Sequence, residues 1–306
     1  MAAQALGGIV PAVVTPFRRD ESIDYGVWQH LIEHLIASGV HGLFAIGGQG
    51  EFYALDEEER TVAARFCVQT AAKRVPVYVN AGAVTTKKTV RLAQQAEADG
   101  VDYIVVTTPY YIRPSADELV DHLVEVCRSV RIPVLAYNIP ERTGVALTPL
   151  ILQRVAVFAE NLIGLKDSSG DLDLIPEWIS ANLSVFIGRD HMVLPALKLG
   201  AVGAVTACAN VIPRAFVDLY NAYNEGNIAE AERLQTLISP LREAFGLGTF
   251  PCVIKEAMNL VGMPVGHCRR PVSELDESGR ERLSAVLDRL RQEGYVPEKA
   301  AWAARG

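Results

Sequence analysis

Short aliphatic runs alternate along this chain with stretches of helical periodicity, and that alternation constrains the fold more than any other feature. In the first unit, an apolar run at 8–16 precedes residues 25–38, in which Trp28, Leu31 and Leu35 share a helical face. Eight units follow one another, with strands predicted at 8–16, 42–46, 75–80, 101–106, 132–138, 162–166, 185–188 and 202–206. Such alternation implies a parallel sheet, and eight units favour a closed (β/α)8 barrel, or TIM barrel, over an open doubly wound sheet.

The remainder of the chain, from residue 213 onwards, contains no convincing strand pattern. Helical spacing is found there instead, at 214–225, 228–246, 251–261 and 274–292. We therefore predict a barrel over residues 1–212 and a C-terminal extension of helices over residues 213–306 that packs on it. Hydrophobic residues make up 50% of the sequence, which is ample for a large buried core.

Charge and hydropathy argue against nucleic-acid and membrane partners. The formal net charge is −7 and no block of basic residues occurs, so neither kind of partner has compositional support. The most apolar segment, 199–212, is interrupted by glycines and by Asn210 and is too short to span a bilayer. We therefore expect a soluble protein.

The N-terminus and the cysteines predict a cytoplasmic location. No lysine or arginine precedes Arg18, whereas a secretory signal begins with a basic region. The cysteines are odd in number, widely spaced and without a C-x-x-C pair; they are Cys67, Cys127, Cys208, Cys252 and Cys268. This pattern is typical of reduced thiols rather than of a disulfide framework or a zinc site.

A single lysine, Lys166, ends the aliphatic run at 162–165 and is followed by a Ser-Ser-Gly-Asp turn. An amine at the end of a buried strand is poorly solvated, which favours its neutral form, and a neutral lysine condenses with ketones to give a Schiff base. The alternative is that Lys166 pairs with Asp167 or reaches solvent. Because active sites of barrel enzymes lie at the carboxyl ends of the strands, the catalytic interpretation gains weight from residues at the other strand ends.

The glycine-rich turn Gly47–Glu51 follows the second predicted strand. Glycines let the backbone approach a ligand and leave N–H groups free for a carboxylate or a phosphate. The spacing is not that of a dinucleotide fingerprint, and an ordinary tight turn is the alternative.

Two tyrosines and an arginine follow the fourth and fifth predicted strands, namely Tyr111, Tyr137 and Arg142. Tyrosines at strand ends can transfer protons, and an arginine can bind a carboxylate with two parallel hydrogen bonds. For each tyrosine alone, packing with a surface hydroxyl is the alternative. The coincidence of all these groups at one end of one barrel favours an active site there.

These motifs, taken together, resemble the dihydrodipicolinate synthase / N-acetylneuraminate lyase family of class I, Schiff-base aldolases. The resemblance covers nearly the whole chain and rests on several motifs in the right order, which are G-x-x-G-E at 47–51, T-P-Y-Y-x-R-P-S at 108–115, Y-N-I-P at 137–140, G-L-K-D at 164–167 and A-N-V at 209–211.

The resemblance implies a role for each matching residue. Lys166 would form the imine with pyruvate or another 2-oxo acid, Tyr137 would shuttle the proton, and Tyr111 would join a proton relay in a neighbouring subunit's site. The other matching positions would bind substrate, with the N–H groups of Gly48 and Gln49 holding a carboxylate, Arg142 binding a second carboxylate, and Gly188 and Val205 lining the pocket. Members of the family are mostly homotetramers, as dimers of dimers, and need no metal or organic cofactor.

The sequence departs from the synthase branch at Gly48 and Gln49, where that branch carries two threonines. The hydroxyl of the first threonine links the two tyrosines of the relay, which a glycine cannot do. The Gly48-Gln49 pair and the Gly266–Pro271 segment look closer to 4-hydroxy-2-oxoglutarate aldolase and the sugar-acid aldolases, whereas Arg142 resembles the synthase. Asp190 lies where sialate lyases contact sugar hydroxyls and is predicted to bind a hydroxylated tail.

Three functional hypotheses follow. The first is a Schiff-base lyase or aldolase acting on a 2-oxo acid, such as a 2-keto-3-deoxy sugar acid or 4-hydroxy-2-oxoglutarate. The second is 4-hydroxy-tetrahydrodipicolinate synthase, in which pyruvate condenses with aspartate semialdehyde. The third is a non-catalytic protein that binds a 2-oxo acid. We favour them in that order.

Overall fold

Eight parallel strands form a barrel in the computed structural model, which describes residues 6–296. The sheet runs in the order β1-β8-β7-β6-β5-β4-β3-β2, and a parallel bridge between Ala12 and Phe44 joins its two ends. The predicted (β/α)8 fold is therefore confirmed. The strands are β1 Gly8–Pro11, β2 Leu43–Ala45, β3 Val77–Asn80, β4 Tyr103–Thr107, β5 Val134–Asn138, β6 Leu162–Asp167, β7 Ser184–Ile187 and β8 Gly203–Thr206.

The first strand is shorter than the sequence predicts. It ends at Pro11 rather than at residue 16. Ala12 and Val13 still donate to the carbonyls of Thr206 and Phe44, and the backbone bonds to loops and side chains from Val14 onwards. The N–H of Val14 donates to the side chain of Asn210 at 3.2 Å, and Thr15 donates through its hydroxyl to the Gly50 carbonyl at 2.8 Å. Residues 13–16 therefore tie the barrel rim to the loops above β8 and β2.

Helices follow the strands in turn and surround the barrel. They are α1 Tyr25–Ala37, α2 Glu57–Ala71, α3 Thr86–Ala98, α4 Ala116–Arg128, α5 Pro140–Thr143, α6 Pro149–Ala156, α7 Leu174–Ser180, α8 Val193–Lys198, α9 Pro213–Asn224, α10 Ile228–Glu243, α11 Cys252–Leu260 and α12 Glu277–Gln292. Four consecutive acidic residues, 56–59, stand at the start of α2. They stabilise the start of this helix, because Asp56 caps it and forms a capping box with Glu59.

The core has an inner and an outer layer. Inside the barrel, the ring of Tyr78 meets that of Phe186 edge to face, and the ring of Phe44 meets that of Tyr137 in the same way. The larger outer layer lies between the strands and the helices. Because the strands are buried on both faces, they appear in the sequence as continuous aliphatic runs.

The helices after residue 212 pack on the barrel and on one another. Helix α9 follows β8 and contacts β1 and α8, α10 packs on α9, and α12 packs on α10 and α11. Helix α10 ends at Glu243, and a short 3-10 turn, Ala244–Leu247, takes the place of the last helical turn that the sequence predicts. The division of the chain between residues 212 and 213 stays a prediction.

We expect Gly164→Ala to destabilise the fold, because a Cβ at this position of β6 would lie 2.2 Å from the backbone oxygen of Ser184 in β7. Separating the two strands to make room should lower the free energy of unfolding by about 1–3 kcal/mol. Urea unfolding followed by circular dichroism measures the change. Gly26→Ala, in the first turn of α1 where the added Cβ meets its nearest neighbour at 3.5 Å, serves as the control and should be neutral or slightly stabilising. Equal stabilities for the two variants would contradict the prediction.

Candidate active site

Lys166 lies at the carboxyl end of β6 with its side chain inside the barrel mouth. It pairs in register with Tyr137 of β5 and Phe186 of β7, and the residue is only 5% exposed. Its Nζ lies 4.1 Å from the ring centroid of Tyr137 and 4.7 Å from that of Phe44. Within the described chain, no carboxylate lies within 4 Å of this amine. The amine is therefore held between two aromatic faces rather than in an ion pair.

The alternative that Lys166 pairs with Asp167 is wrong. Neighbouring residues of a strand point to opposite faces, and Asp167 points away from the barrel interior. Its carboxylate accepts hydrogen bonds from Asn138 Nδ2 at 2.9 Å and from the Ser169 hydroxyl at 2.9 Å. Asp167 thus fixes the end of β6 against β5 and leaves Lys166 free for chemistry.

A cavity of about 290 Å³ opens above Lys166. Its lining includes all but one of the residues that the sequence predicts for the site, namely Lys166, Tyr137, Gly48, Gln49, Arg142, Gly188, Asp190 and Val205. The barrel thus brings together groups that lie up to about 150 residues apart in the chain, as the convergence of parallel strand ends requires.

Gly48 and Gln49 face this cavity from the turn after β2. Their N–H groups donate to no other group among residues 6–296, and the buried Gln49 Oε1 is without a hydrogen-bond partner in the same range. Glu51, the last residue of the turn, anchors it by an ion pair of 2.5 Å with Lys255 of α11; both side chains are 1% exposed. A turn fixed in this way, which lines the cavity and has two N–H donors unused within residues 6–296, can bind a carboxylate.

Phe250 packs directly over Gly48. A Cβ added at Gly48 would lie 3.1 Å from Cζ of the Phe250 ring, so a larger residue would need that ring to move. The guanidinium of Arg142 stacks on the same ring, with its Cζ 4.7 Å from the ring centroid. Phe250 therefore joins the two parts of the site that the sequence assigns to two carboxylates.

Gly188 lines the cavity directly after β7, where a side chain would collide with Ser168. A Cβ at Gly188 would lie 1.9 Å from the hydroxyl oxygen of Ser168, and its N–H donates to the Asp167 carbonyl at 2.6 Å. Glycine is thus required by the close approach of β6 and β7 at the cavity floor.

Asp190 lines the cavity, but its carboxylate is engaged with the protein. The N–H of Cys208 donates to Oδ1 at 2.8 Å, and Oδ2 lies 3.8 Å from Nε of Arg242. Asp190 therefore positions the loop after β8 as well as an arginine of α10. The predicted contact with a hydroxylated tail stays a prediction.

Tyr111 does not lie in the cavity of its own chain. It is 97% exposed and has a positive φ of 75°, which is uncommon for a residue with a ring. The aromatic side chain that the sequence assigns to a proton relay therefore projects into solvent from this subunit.

Several cavity residues were missed by sequence reasoning. The C-terminal wall of the cavity, residues 242–254, contributes Arg242, Phe245 and Phe250. The loop after β7 contributes Arg189, which donates to Glu141 at 2.7 Å. Residues 242–254 do not follow a predicted strand, so the rule that places active sites at strand ends does not point to them. The only local signal in the sequence is the Gly-Thr-Phe-Pro stretch at 248–251, which indicates a loop between the helices.

The charged groups at the cavity mouth are coupled. The hydrogen bond from Arg189 lowers the pKa of the Glu141 carboxyl, and the charges of Arg142 and Arg242 act in the same direction. Glu141 therefore remains ionised and neutralises Arg189. The mouth is rich in guanidinium groups, which suits anionic ligands.

The model of the Dihydrodipicolinate synthetase family matches residues 5–290 of the chain. The chain belongs to this family. It is 37% identical over 286 residues to the 4-hydroxy-tetrahydrodipicolinate synthase of Methanoculleus marisnigri, covering 92% of this chain and 98% of that protein. It is 36% identical over 288 residues to a probable 2-dehydro-3-deoxy-D-pentonate aldolase of Escherichia coli, covering 92% and 96%.

Solved structures of the family superpose closely on this fold. A prophage protein of the dihydrodipicolinic acid synthase family from Escherichia coli K12, solved in complex with pyruvate, has a TM-score of 0.91 and 35% identity, covering 94% of this chain and 99% of that one. A dihydrodipicolinate synthase has a TM-score of 0.90 and 32% identity, covering 95% and 100%. The family resemblance and the expectation of a lyase or aldolase enzyme are thereby confirmed.

Between residues 6 and 296, no helix is long and apolar enough to cross a membrane. The same part of the chain contains no group of three or more histidine, cysteine, aspartate or glutamate side chains arranged to hold a metal ion.

We expect Gly48→Thr to be costly in the native background and less costly once Phe250 is removed. The threonine side chain would press on the Phe250 ring, so the free energy of unfolding should fall by about 1–3 kcal/mol. In a double-mutant cycle, the loss caused by the threonine should be smaller by at least about 1 kcal/mol when Phe250 is replaced by alanine. Chemical unfolding of the four proteins provides the measurement. Additive effects would mean that the ring does not restrict residue 48.

Proposed function

We propose that Lys166 forms an imine with a 2-oxo acid of the pyruvate type, and that the protein makes or breaks the carbon–carbon bond next to that imine. The observation that carries the proposal is a buried amine with no carboxylate partner among residues 6–296, beside the Tyr137 ring and below a cavity lined by free N–H donors. A relative solved in complex with pyruvate supports the choice of ligand.

The chemistry begins when the neutral amine of Lys166 attacks the keto carbon to give a carbinolamine. The Tyr137 hydroxyl then gives its proton to the departing hydroxyl group, so that water leaves and an iminium ion and the Tyr137 phenolate remain. The resulting iminium ion is an electron sink, so the C3–C4 bond can break with its electron pair moving into the iminium to give an enamine. Phe44 and Tyr137 face the nitrogen at 4.7 Å and 4.1 Å, and their ring faces stabilise a cation there. Protonation of the enamine and hydrolysis then release pyruvate and restore the lysine.

Tyr137 is the proton carrier in this proposal. Its ring neighbours the Lys166 nitrogen, and the residue lines the cavity from the adjacent strand. In cleavage, the phenolate left by the dehydration step takes the proton of the C4 hydroxyl as the bond breaks; in condensation, the Tyr137 hydroxyl gives its proton to the new alkoxide. The N–H groups of Gly48 and Gln49 hold the C1 carboxylate, with Gly188 and Val205 forming the walls.

Cleavage and condensation use the same imine, and both appear among the names of relatives. The aldolase direction is favoured by Gly48, because Phe250 occupies the space above it and no hydroxyl stands there to link the tyrosines. The synthase alternative, condensation of pyruvate with aspartate semialdehyde, is favoured by Arg142 at the cavity mouth. The non-catalytic alternative would require Lys166 to bind a 2-oxo acid without turnover.

We propose further that the enzyme acts as a homotetramer, a dimer of dimers, in the cytoplasm. The 97% exposure of Tyr111 supports assembly, because a neighbouring subunit could receive its ring. The cytoplasmic location is supported by the five cysteines, all of which are free and buried. In this proposal the reaction requires neither a metal nor an organic cofactor.

Borohydride reduction in the presence of pyruvate should attach one pyruvate to Lys166. Lys166→Ala should abolish the adduct, whereas Lys198→Ala, at an exposed lysine paired with Glu232, should leave it intact. Mass spectrometry of peptides locates the modification and separates Lys166 from Lys255, which is also buried. A folded protein that gives no adduct at Lys166 would overturn the imine.

Tyr137→Phe should keep the adduct but lose turnover. Removal of the hydroxyl leaves the ring beside the imine and eliminates the proton carrier, so kcat should fall by about a hundredfold or more. The assay measures pyruvate release from 4-hydroxy-2-oxoglutarate and from 2-keto-3-deoxy sugar acids, and pyruvate consumption with aspartate semialdehyde. Full activity in the variant on every substrate that the native enzyme uses would exclude the role of Tyr137. Imine formation without turnover of any substrate would favour the binding protein.

Mixing two inactive proteins tests whether Tyr111 acts in a neighbouring subunit. Lys166→Ala and Tyr111→Phe chains should each be impaired alone. Random pairing on co-expression makes about half of the dimers mixed, and each mixed dimer has one complete site out of two. Co-expression should therefore restore about a quarter of the native activity. Sedimentation velocity verifies the assembly. No recovery in verified heterodimers would exclude a role across the interface.

A further inference from the structure

Arg242 of α10 is a cavity residue with no assigned role. Like Arg142, it stacks on an aromatic ring: its Cζ lies 4.4 Å from the Phe245 centroid, and that of Arg142 lies 4.7 Å from the Phe250 centroid. Both rings line the cavity. The arginine side chains thus approach the mouth from two different parts of the chain, the short helix α5 and the end of α10.

Neither guanidinium is saturated with hydrogen bonds. The nearest carboxylate to Arg242 is that of Asp190 at 3.8 Å, and the nearest to Arg142 is that of Glu141 at 3.9 Å; both distances exceed a hydrogen bond. No side-chain hydrogen bond from either arginine is found within residues 6–296. Each fork therefore has N–H donors available in the cavity, and Arg242 is only 20% exposed, which limits competition from water.

The charges at the mouth leave an excess of one positive charge. Arg189 and Glu141 form an ion pair of 2.7 Å and cancel, and the buried Asp190 carboxylate offsets Arg242. Arg142, which is half exposed, remains. A single carboxylate balances this excess, whereas a phosphate dianion would exceed it.

The cavity has room for a substrate longer than pyruvate. Its volume of about 290 Å³ equals that of roughly ten water molecules at about 30 Å³ each. With C1 and C2 of a 2-oxo acid at Gly48 and Lys166, the chain must extend toward the mouth, where Arg142 and Arg242 lie.

We infer that Arg242, acting with Arg142, binds a second carboxylate at the far end of the substrate and makes the enzyme selective for 2-oxo acids with two carboxylates over those with a neutral tail. This inference rests on the proposed imine at Lys166. It extends the site to α10 and disfavours a sugar acid whose tail carries hydroxyl groups alone. Phe245 and Phe250 act as positioning residues that hold the two guanidinium groups over the cavity.

Imine trapping on a matched pair of ligands tests the inference without knowledge of the natural substrate. The pair is 2-oxoglutarate and 5-methyl-2-oxohexanoate, in which two methyl groups replace the distal carboxylate oxygens. Each competes with pyruvate for Lys166, and the concentration that halves the pyruvate adduct is measured. The native enzyme should prefer the dicarboxylate by about ten- to a hundredfold, as expected for charge-assisted hydrogen bonds.

Arg242→Ala should reduce that preference by about tenfold or more, and Arg242→Lys should retain an intermediate preference because the charge remains without the planar fork. Arg233→Ala is the matched control: it lies on the same helix, outside the cavity, and pairs with Glu230 and Glu293. This control should leave the preference unchanged.

The outcomes separate the inference from the proposed function. If pyruvate gives no adduct with the native protein, the imine proposal fails. If pyruvate is trapped but the native enzyme shows no preference for the dicarboxylate, or if Arg242→Ala keeps the full preference, the role of Arg242 is overturned and the imine stands. Pyruvate trapping by Arg242→Ala also demonstrates that the variant is folded.

Discussion

The closed parallel barrel is the constraint on which the rest of this molecule depends. Each strand is bonded to two neighbours, so the register between β5, β6 and β7 is fixed and places Tyr137, Lys166 and Phe186 side by side at the barrel mouth. Closure between Ala12 and Phe44 then brings the Phe44 ring across the barrel to the other side of the same amine. A lysine so enclosed is almost entirely shielded from water and has no carboxylate within 4 Å among residues 6–296, which is the environment in which the proposed imine would form.

Much of this arrangement could be predicted from the sequence because the signals are local and periodic. Each aliphatic run is a strand buried on both faces, and each strand end carries a residue that would be out of place in a core, such as Lys166 or Tyr137. Once eight units imply closure, these ends must meet. The same reasoning does not fix where strands stop: the first strand does not continue to residue 16, because the N–H of Val14 donates to the side chain of Asn210, 196 residues away, instead of to a neighbouring strand.

The C-terminal wall could not be predicted in this way. Helical periodicity at 228–246 and 251–261 identifies a buried face, but not what that face covers. Arg242 and Phe250 reach the cavity because α10 and α11 pack over the barrel mouth, and α11 is held there by the ion pair of Lys255 with Glu51. Burial lowers the pKa of Lys255 and the nearby carboxylate of Glu51 opposes that change, so the pair depends on both partners. In the sequence, this contact consists only of an acidic and a basic residue about 200 positions apart. No spacing rule identifies two such residues as partners.

Packing against the C-terminal wall also accounts for glycine at residue 48, where the synthase branch carries a threonine. Residue 48 is glycine because the Phe250 ring lies 3.1 Å from where a Cβ would begin, and the same ring supports Arg142 at 4.7 Å. The Phe250 ring thus both restricts the side chain at residue 48 and supports the Arg142 guanidinium. In the proposed function, this guanidinium binds an anion at the far end of the cavity. In the proposed function, Tyr137 transfers the proton and the arginines select the substrate, so catalysis and specificity would be carried by different walls of the same cavity.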